Sequence, residues 1–415
     1  MTGRSVVASG PVAVAHLVVV SDEGGVAVVN GRLPMVPTSE LLSAGTTLGV
    51  PLAIVRTVSR LGDDRVVLAE CVGSPDSDDI DWVDPSRVRV TSVDLGSAIA
   101  AACRPDDDTP RAAWMVRGWL NKALDEVAEQ HGRVTSFRQL KHWALSAVVH
   151  VVTETADVVL KQVPPQLAAE GPVTALLADL GPGAVPTVLT ADSDRFVMET
   201  FGGTEGSVEA DGLEALASLQ QTATAHCDRL FAVGCRTQTA SALALDIAAL
   251  LAREDVLFER TWQLSTTDGR RPTRYLEPED VAHLRGQLDR IAADAHRLDR
   301  SAPTTIVHGD FHPFNVARVD DRTVILDWGA AFLGDPRADL PTWRQLAPSD
   351  AGVDDYLAKW NTSVDDWDQV VYAAYLMNAL TCATLADAVL DESARKDWSA
   401  GVQKRLIEAL ELMGR

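Results

Sequence analysis

Residues 308–331 read HGDFHPFNVARVDDRTVILDWGAA and gather side chains whose types and spacing suit one kind of chemistry. His308 and Asp310 stand close together, and the amide of Asn315 follows Asp310 by five positions. A second acid, Asp327, closes the apolar run 324–326 and stands just before Gly329. Moving a terminal phosphoryl group needs a carboxylate near the acceptor hydroxyl and hard oxygen ligands for the magnesium ions that neutralise phosphate charge. Asp310 suits the first task. Asn315 and Asp327 suit the second.

These groups meet only if strands and loops bring them together, and an H-x-D, then x4-N, then a strand-borne D-x-G is the order of the catalytic and metal loops in the protein-kinase-like fold. HGDFHPFN with ILDWGAAFLGDPRADL resembles the aminoglycoside phosphotransferase-like kinases, a group that also holds choline kinases, macrolide kinases and bacterial maltokinases. The resemblance runs over roughly residues 140–345. It implies an α+β, bilobal protein-kinase-like fold, with ATP and Mg2+ as cofactors. By that resemblance Asp310 orients the acceptor hydroxyl and takes its proton, while Asn315 and Asp327 hold metal. His308 is expected to brace the loop backbone and His312 to face the substrate. Asp335 and Asp339 are expected to fix the loop, or, for Asp335, to bound the acceptor pocket, with Arg337 as a salt-bridge partner of either. Trp343 and residues of the last helices are further pocket candidates.

Upstream, the run DVVLKQV (157–163) sets Lys161 among Val158, Val159, Leu160 and Val163 in a chain with few lysines. An ammonium there costs desolvation unless it has an anionic partner, and nucleotide phosphates are such a partner. The kinase-like pattern adds a glutamate from the following helix, for which Glu170 is the candidate. Lys161 lies on the second strand of an expected hairpin, 143–153 and 157–163, turned at residues 154–156. No G-x-G-x-x-G stands between the two strands, so phosphate coverage is assigned to Ser146 or to the turn at 153–155. RFVMETFGG (195–203) matches the interlobe hinge, whose backbone near Met198, Glu199 and Thr200 would meet adenine.

The periodicity supplies the remaining frame. Residues 1–105 carry short β-rich runs, including SRVRVTSV (86–93), which read as a small antiparallel sheet or barrel. Its size and position are similar to the extra cap of maltokinase-like members. CRPDDDTP (103–110) reads as a polar link. A helix is expected over 111–132, and helical faces over Leu213, Leu216, Leu219 and Ala223 and over Val281, Leu284, Leu288, Ile291 and Ala295. The expected domains are a β-rich cap (1–108), a nucleotide-binding N-lobe with hinge (109–202) and a mainly helical C-lobe (203–415) whose only strand pair is the hairpin of 308–328.

A formal net charge of −22 argues against nucleic acid and anionic membranes as partners and suits a cationic substrate. Five scattered cysteines without C-x2-C spacing imply neither a disulfide framework nor zinc. The apolar run 370–390 is interrupted by Asn378, Thr381, Thr384 and Asp387, so it reads as a buried helix of a cytoplasmic protein. The partner expected is a small molecule, with the chain a monomer or weak homodimer. The β-rich cap points to sugar kinases and GDPRADLPTW to aminoglycoside kinases. An aminosugar such as glucosamine, converted to glucosamine 6-phosphate, reconciles the two. The alternatives are a maltokinase, an aminoglycoside or macrolide phosphotransferase, and a non-catalytic sugar-binding pseudokinase, which would usually have lost one of Lys161, Asp310, Asn315 or Asp327.

Overall fold

In the computed structural model the described residues are four strands between 14 and 71, residue 97, and residues 112–414 apart from 193, 201–203, 206–208, 261–271, 348, 364–366, 368–370 and 390–391. The chain divides into two compact units, Met1–Leu160 and Lys161–Arg415.

In the first unit, β1 (Val14–Val20) pairs antiparallel with β2 (Val26–Arg32), and β3 (Leu52–Leu61) pairs antiparallel with β4 (Asp64–Cys71). The expected purely antiparallel sheet is corrected at its centre, where β1 runs parallel to β4 in the order β2-β1-β4-β3. The chain between those two strands is long enough for the crossover that parallel pairing needs. The run 86–93 and the link 103–110 lie outside the described residues.

Helix α1 (Trp119–His131) begins later than the expected residue 111. Gly118 precedes it at φ 76, a left-handed backbone that stops a helix from extending upstream. Its apolar face buries Leu120, Ala123, Leu124 and Val127. Strands β5 (Val134–Trp143) and β6 (Ser146–Thr153) then form a hairpin around Ala144 and Leu145, so the run expected as one strand from 143 is the end of one strand and all of the next. Trp114 fastens the bend by donating its indole N–H to the Trp143 carbonyl at 2.8 Å.

Strand β7 (Asp157–Gln162) carries the chain across the division. In the second unit it is followed by α2 (Glu170–Leu180) and by the antiparallel pair β8 (Val188–Ala191) and β9 (Arg195–Glu199). Beyond them lie β10 (Thr204–Glu205), α3 (Glu209–Ala223), β11 (Arg236–Thr237), α4 (Pro278–Gly286) and α5 (Leu288–Ser301). The residues Val281 to Ala295 therefore belong to two helices, broken at Gln287, rather than to one. Glu277 and Asp280 fix the start of α4 as a capping box, with Pro278 in the first turn where no N–H is needed.

Strand β12 (Thr305–Val307) leads into the 308–315 loop, and β13 (Val316–Val319) and β14 (Arg322–Ile325) return the chain to Asp327. β15 (Phe332–Gly334) then pairs antiparallel with β12, Val307 opposite Phe332. That register makes one loop leave the sheet where the other arrives. It also corrects the expectation of a single strand pair in this part of the chain, since β11 pairs with β15 and β10 with β13. The helices α6 (Leu340–Leu346), α7 (Val371–Ala388) and α8 (Glu392–Met413) complete a core that includes Leu216, Ile291, Ile306, Phe311, Ile325, Trp343, Met377 and Leu406. Among the described residues no helix is long and apolar enough to cross a membrane.

Candidate active site

The site grows from the two loops that β12 and β15 bring together. His308 is fully buried, and its ring joins them: Nε2 donates to the Leu326 carbonyl at 2.7 Å, and Nδ1 accepts the Asp310 backbone N–H at 3.2 Å. Those two bonds require the neutral tautomer with its proton on Nε2. Burial lowers the imidazole pKa in the same direction, against the neighbouring carbonyl and carboxylates. The backbone of Leu326 closes a second link, donating to the Asn315 carbonyl at 2.8 Å, so Asn315 and Asp327 stand together.

Asp339 pins the start of the same loop. Its carboxylate accepts the backbone N–H groups of His308 at 3.0 Å and Gly309 at 2.9 Å, and the Gln220 amide at 3.1 Å. Gly309 sits at φ 81, and a Cβ there would lie 2.4 Å from the Ala330 carbonyl oxygen, so only glycine lets the two loops pass this closely.

Lys161, near the end of β7, is buried and held by two carboxylates, Glu170 at 2.5 Å and Asp327 at 2.6 Å. Burial pulls its pKa down, but Asp327 and Glu170 outweigh it and the ammonium titrates above the ordinary lysine value. Glu170 opens α2, and a Cβ on Gly329 would stand 3.0 Å from its Oε2, which accounts for the glycine two residues after Asp327. Asp327 itself has a left-handed backbone, φ 65 and ψ 61, sparsely populated by non-glycine residues.

Asp310 is placed differently from these buried groups. Its side chain is 44% exposed and faces a cavity of about 380 Å³. The Asn315 amide donates to the Asp310 carbonyl at 2.9 Å, and His312 Nε2 lies 3.7 Å from the Asp310 carboxylate. His312 and Phe314 also line the cavity; Phe314 is 56% exposed. The far wall comes from α6, α7 and α8: Thr342, Asn378, Thr381, Asp397, Trp398, Lys404 and Arg405. A carboxylate at such a wall can orient a hydroxyl and accept its proton, and the lysine with its two acids can bind polyphosphate and cation in its place.

The model of the phosphotransferase enzyme family matches residues 136–371, more than half of the chain. The chain belongs to this family. The phosphotransferase is similar to the macrolide 2'-phosphotransferase of Brachybacterium faecium, at 19% identity over 68% of this chain and 97% of that one, TM-score 0.44. It is similar also to the Plasmodium vivax ethanolamine kinase, at 12% identity over 69% and 83%, TM-score 0.43. A third similar structure is aminoglycoside 2'-phosphotransferase-IIIa in its GDP complex, at 16% identity over 71% and 99%, TM-score 0.48. No curated protein matches the chain.

Several expected site residues of the phosphotransferase have other placements. Trp343 is wholly buried and stacks on Phe311, ring centres 4.8 Å apart, so it is a core residue and its neighbour Thr342 lines the cavity instead. Asp335 is buried in an ion pair with Arg337 at 2.5 Å and caps the turn before α6, rather than bounding the pocket. In the other unit, Ser146 is buried and accepts the Trp143 indole N–H at 2.8 Å. The Thr153 hydroxyl is committed to its own turn, donating to the His131 carbonyl at 2.6 Å and accepting the N–H groups of Thr155 and Ala156. On β9, Met198 pairs with Val188, and the Glu199 N–H already donates to the Thr187 carbonyl at 3.0 Å. Gly202 and Gly203 lie outside the described residues.

Asn378, Thr381, Asp397, Trp398, Lys404 and Arg405 were not individually legible as site residues. The available signal was polar residues at helical spacing in two otherwise well-buried helices: 378 and 381, then 397, 404 and 405.

Proposed function

We propose that this phosphotransferase is a magnesium- and ATP-dependent kinase acting on a hydroxyl of a small sugar, with an aminosugar such as glucosamine as the first candidate. The carrying observation is that one loop presents Asp310 at the cavity wall together with Asn315, while the loop linked to it presents Asp327, which is bonded to Lys161. The donor set fits magnesium. Asn315 turns its amide nitrogen to the Asp310 carbonyl, which directs its oxygen elsewhere, and Asp327 adds a carboxylate. Among the described residues no group of three or more His, Cys, Asp or Glu could hold a metal, as a transition-metal site would require, whereas magnesium keeps waters and phosphate oxygens and needs few protein ligands. Bound there, magnesium would neutralise charge on the transferring phosphates.

In this reading Lys161 binds the α- and β-phosphates, with Glu170 fixing its direction. Asp310 orients the acceptor hydroxyl. The hydroxyl oxygen bonds to the γ-phosphorus as the bond to the β-phosphate oxygen breaks, and the hydroxyl proton passes to Asp310 late, because the transition state is loose. Neutral His308 holds the Asp310 backbone and adds no charge to the site.

A cavity of about 380 Å³ lies near the lower end of small-molecule pockets, roughly 300–1,000 Å³, which favours a monosaccharide over a macrolide. Asp397 and the indole of Trp398 suit an aminosugar's amine and ring face. ADP release measured with glucosamine, glucose, maltose, an aminoglycoside and a macrolide tests the reading. Fastest turnover with glucosamine is expected; preference for maltose or an antibiotic would overturn the acceptor, and failure to bind Mg-ATP would point to a pseudokinase.

A further inference from the structure

Most polar groups on the cavity wall are already satisfied by the protein. Asn378 donates to the Ala338 carbonyl at 3.0 Å and accepts from the Thr342 hydroxyl at 2.9 Å; the Thr381 hydroxyl donates to the Met377 carbonyl at 3.3 Å. Lys404 is different. It is 8% exposed and lines the cavity, yet among the described residues its ammonium, with three donors, has one carboxylate partner, Glu408 at 3.3 Å. Arg405, 9% exposed on the same wall, uses that same carboxylate at 3.1 Å and reaches the Thr342 hydroxyl at 3.3 Å.

Two buried cations thus share one acid. Burial and the neighbouring Arg405 lower the Lys404 pKa against the pull of Glu408. A cation pair left one charge in excess inside a cavity is costly unless an anion joins it. Within the cluster of Lys404, Arg405 and Glu408 the excess is a single positive charge, which a carboxylate cancels and a phosphate dianion would overshoot, the more so because Asp310 and Asp397 line the same cavity.

We infer that the acceptor carries a carboxylate that binds Lys404 and Arg405 while Asp310 receives its hydroxyl. The acceptor class is then a hydroxylated acid of monosaccharide size, and any amine it bears is left to Asp397. This rests on the phosphotransferase reading of the same cavity and narrows its aminosugar to an acidic one, such as glucosaminate, with glucosamine the weaker acceptor of the two.

Wild type, Lys404→Met and Lys404→Gln are compared at saturating Mg-ATP, by thermal-shift titration and by ADP release. The probes are D-glucose, D-glucosamine, D-glucuronate and D-glucosaminate. A charge-assisted hydrogen bond predicts that each acid half-saturates wild type at a concentration about tenfold lower than its uncharged or cationic counterpart. Both variants should erase most of that ratio. Lys404→Met keeps most of the apolar stem and Lys404→Gln keeps two N–H donors on a side chain one atom shorter, so a loss common to both isolates charge from packing. Equal binding of acids and non-acids, or a ratio that survives both substitutions, overturns the inference. Failure of the kinase reading looks different: no shift with Mg-ATP alone, an arm run before any acceptor is added, and the inference falls with it.

Discussion

Asp327 and Lys161 show how single side chains set the chemistry. The strained backbone at Asp327 persists because the Lys161 ammonium and the bonds of Leu326 hold the loop from both sides. On the proposed roles, Lys161→Ala should raise the nucleotide KM by about tenfold or more, as expected for loss of a charge-assisted contact, with initial rates against ATP as the measurement. Unchanged nucleotide kinetics would contradict that role. Asp339 gives a pH signature. Burial pushes its carboxyl up to about 7, held back by the His308 and Gly309 N–H groups. An acid whose pKa is raised on folding binds its proton more readily in the native chain. Its contribution to stability is therefore greatest below the unfolded value near ~4 and declines as pH rises toward 7. The Tm of wild type relative to the non-titrating Asp339→Asn should fall across that window; a constant difference would contradict the assignment. Lys161, Asp310, Asn315 and Asp327 were legible because motif order and an isolated lysine are local signals. Lys404 was not, because its meaning depends on sharing Glu408 with Arg405 at a cavity wall.

At the scale of elements, the β12–β15 pair and the glycines beside it decide whether two loops become one site. Gly309→Ala adds a Cβ 2.4 Å from the Ala330 carbonyl oxygen at a left-handed φ. The strain alone is about 1–3 kcal/mol, so chemical denaturation should show a loss at least that large and turnover should fall with it. A Gly309→Ala variant of wild-type stability would show that the loops do not pass as closely as described. Trp343 belongs to the same level. Reading it as a pocket wall failed because a tryptophan after a loop looks the same in sequence whether it faces ligand or core. Its stack on Phe311 is a packing relation across more than thirty residues. Trp343→Ala should cost about 3–5 kcal/mol of stability, the range for a buried tryptophan, in urea unfolding. A loss confined to acceptor KM would return it to the pocket. Helix breaks were equally obscure: the apolar spacing of Val281 to Ala295 continues across Gln287, while the backbone does not.

For the whole molecule, a net charge of −22 acts over distances that no single contact covers. Self-repulsion of that size destabilises a compact chain and is screened by salt. Raising sodium chloride from low to physiological ionic strength should therefore raise the Tm, and a fall would mean that local ion pairs outweigh the overall field. Fold class was readable from motif order and strand-then-helix patterning, whereas the parallel pairing of β1 with β4 was not, because pairing direction leaves no mark on local composition. The proposed phosphoryl transfer is tested most directly by comparing Asp310→Ala and Asp327→Ala for magnesium-dependent ATP binding and for ADP release. The expected result is that Asp310→Ala binds Mg-ATP like wild type but turns over about 10²–10⁴-fold more slowly, while Asp327→Ala loses metal-dependent binding. Normal turnover by Asp310→Ala would contradict the account.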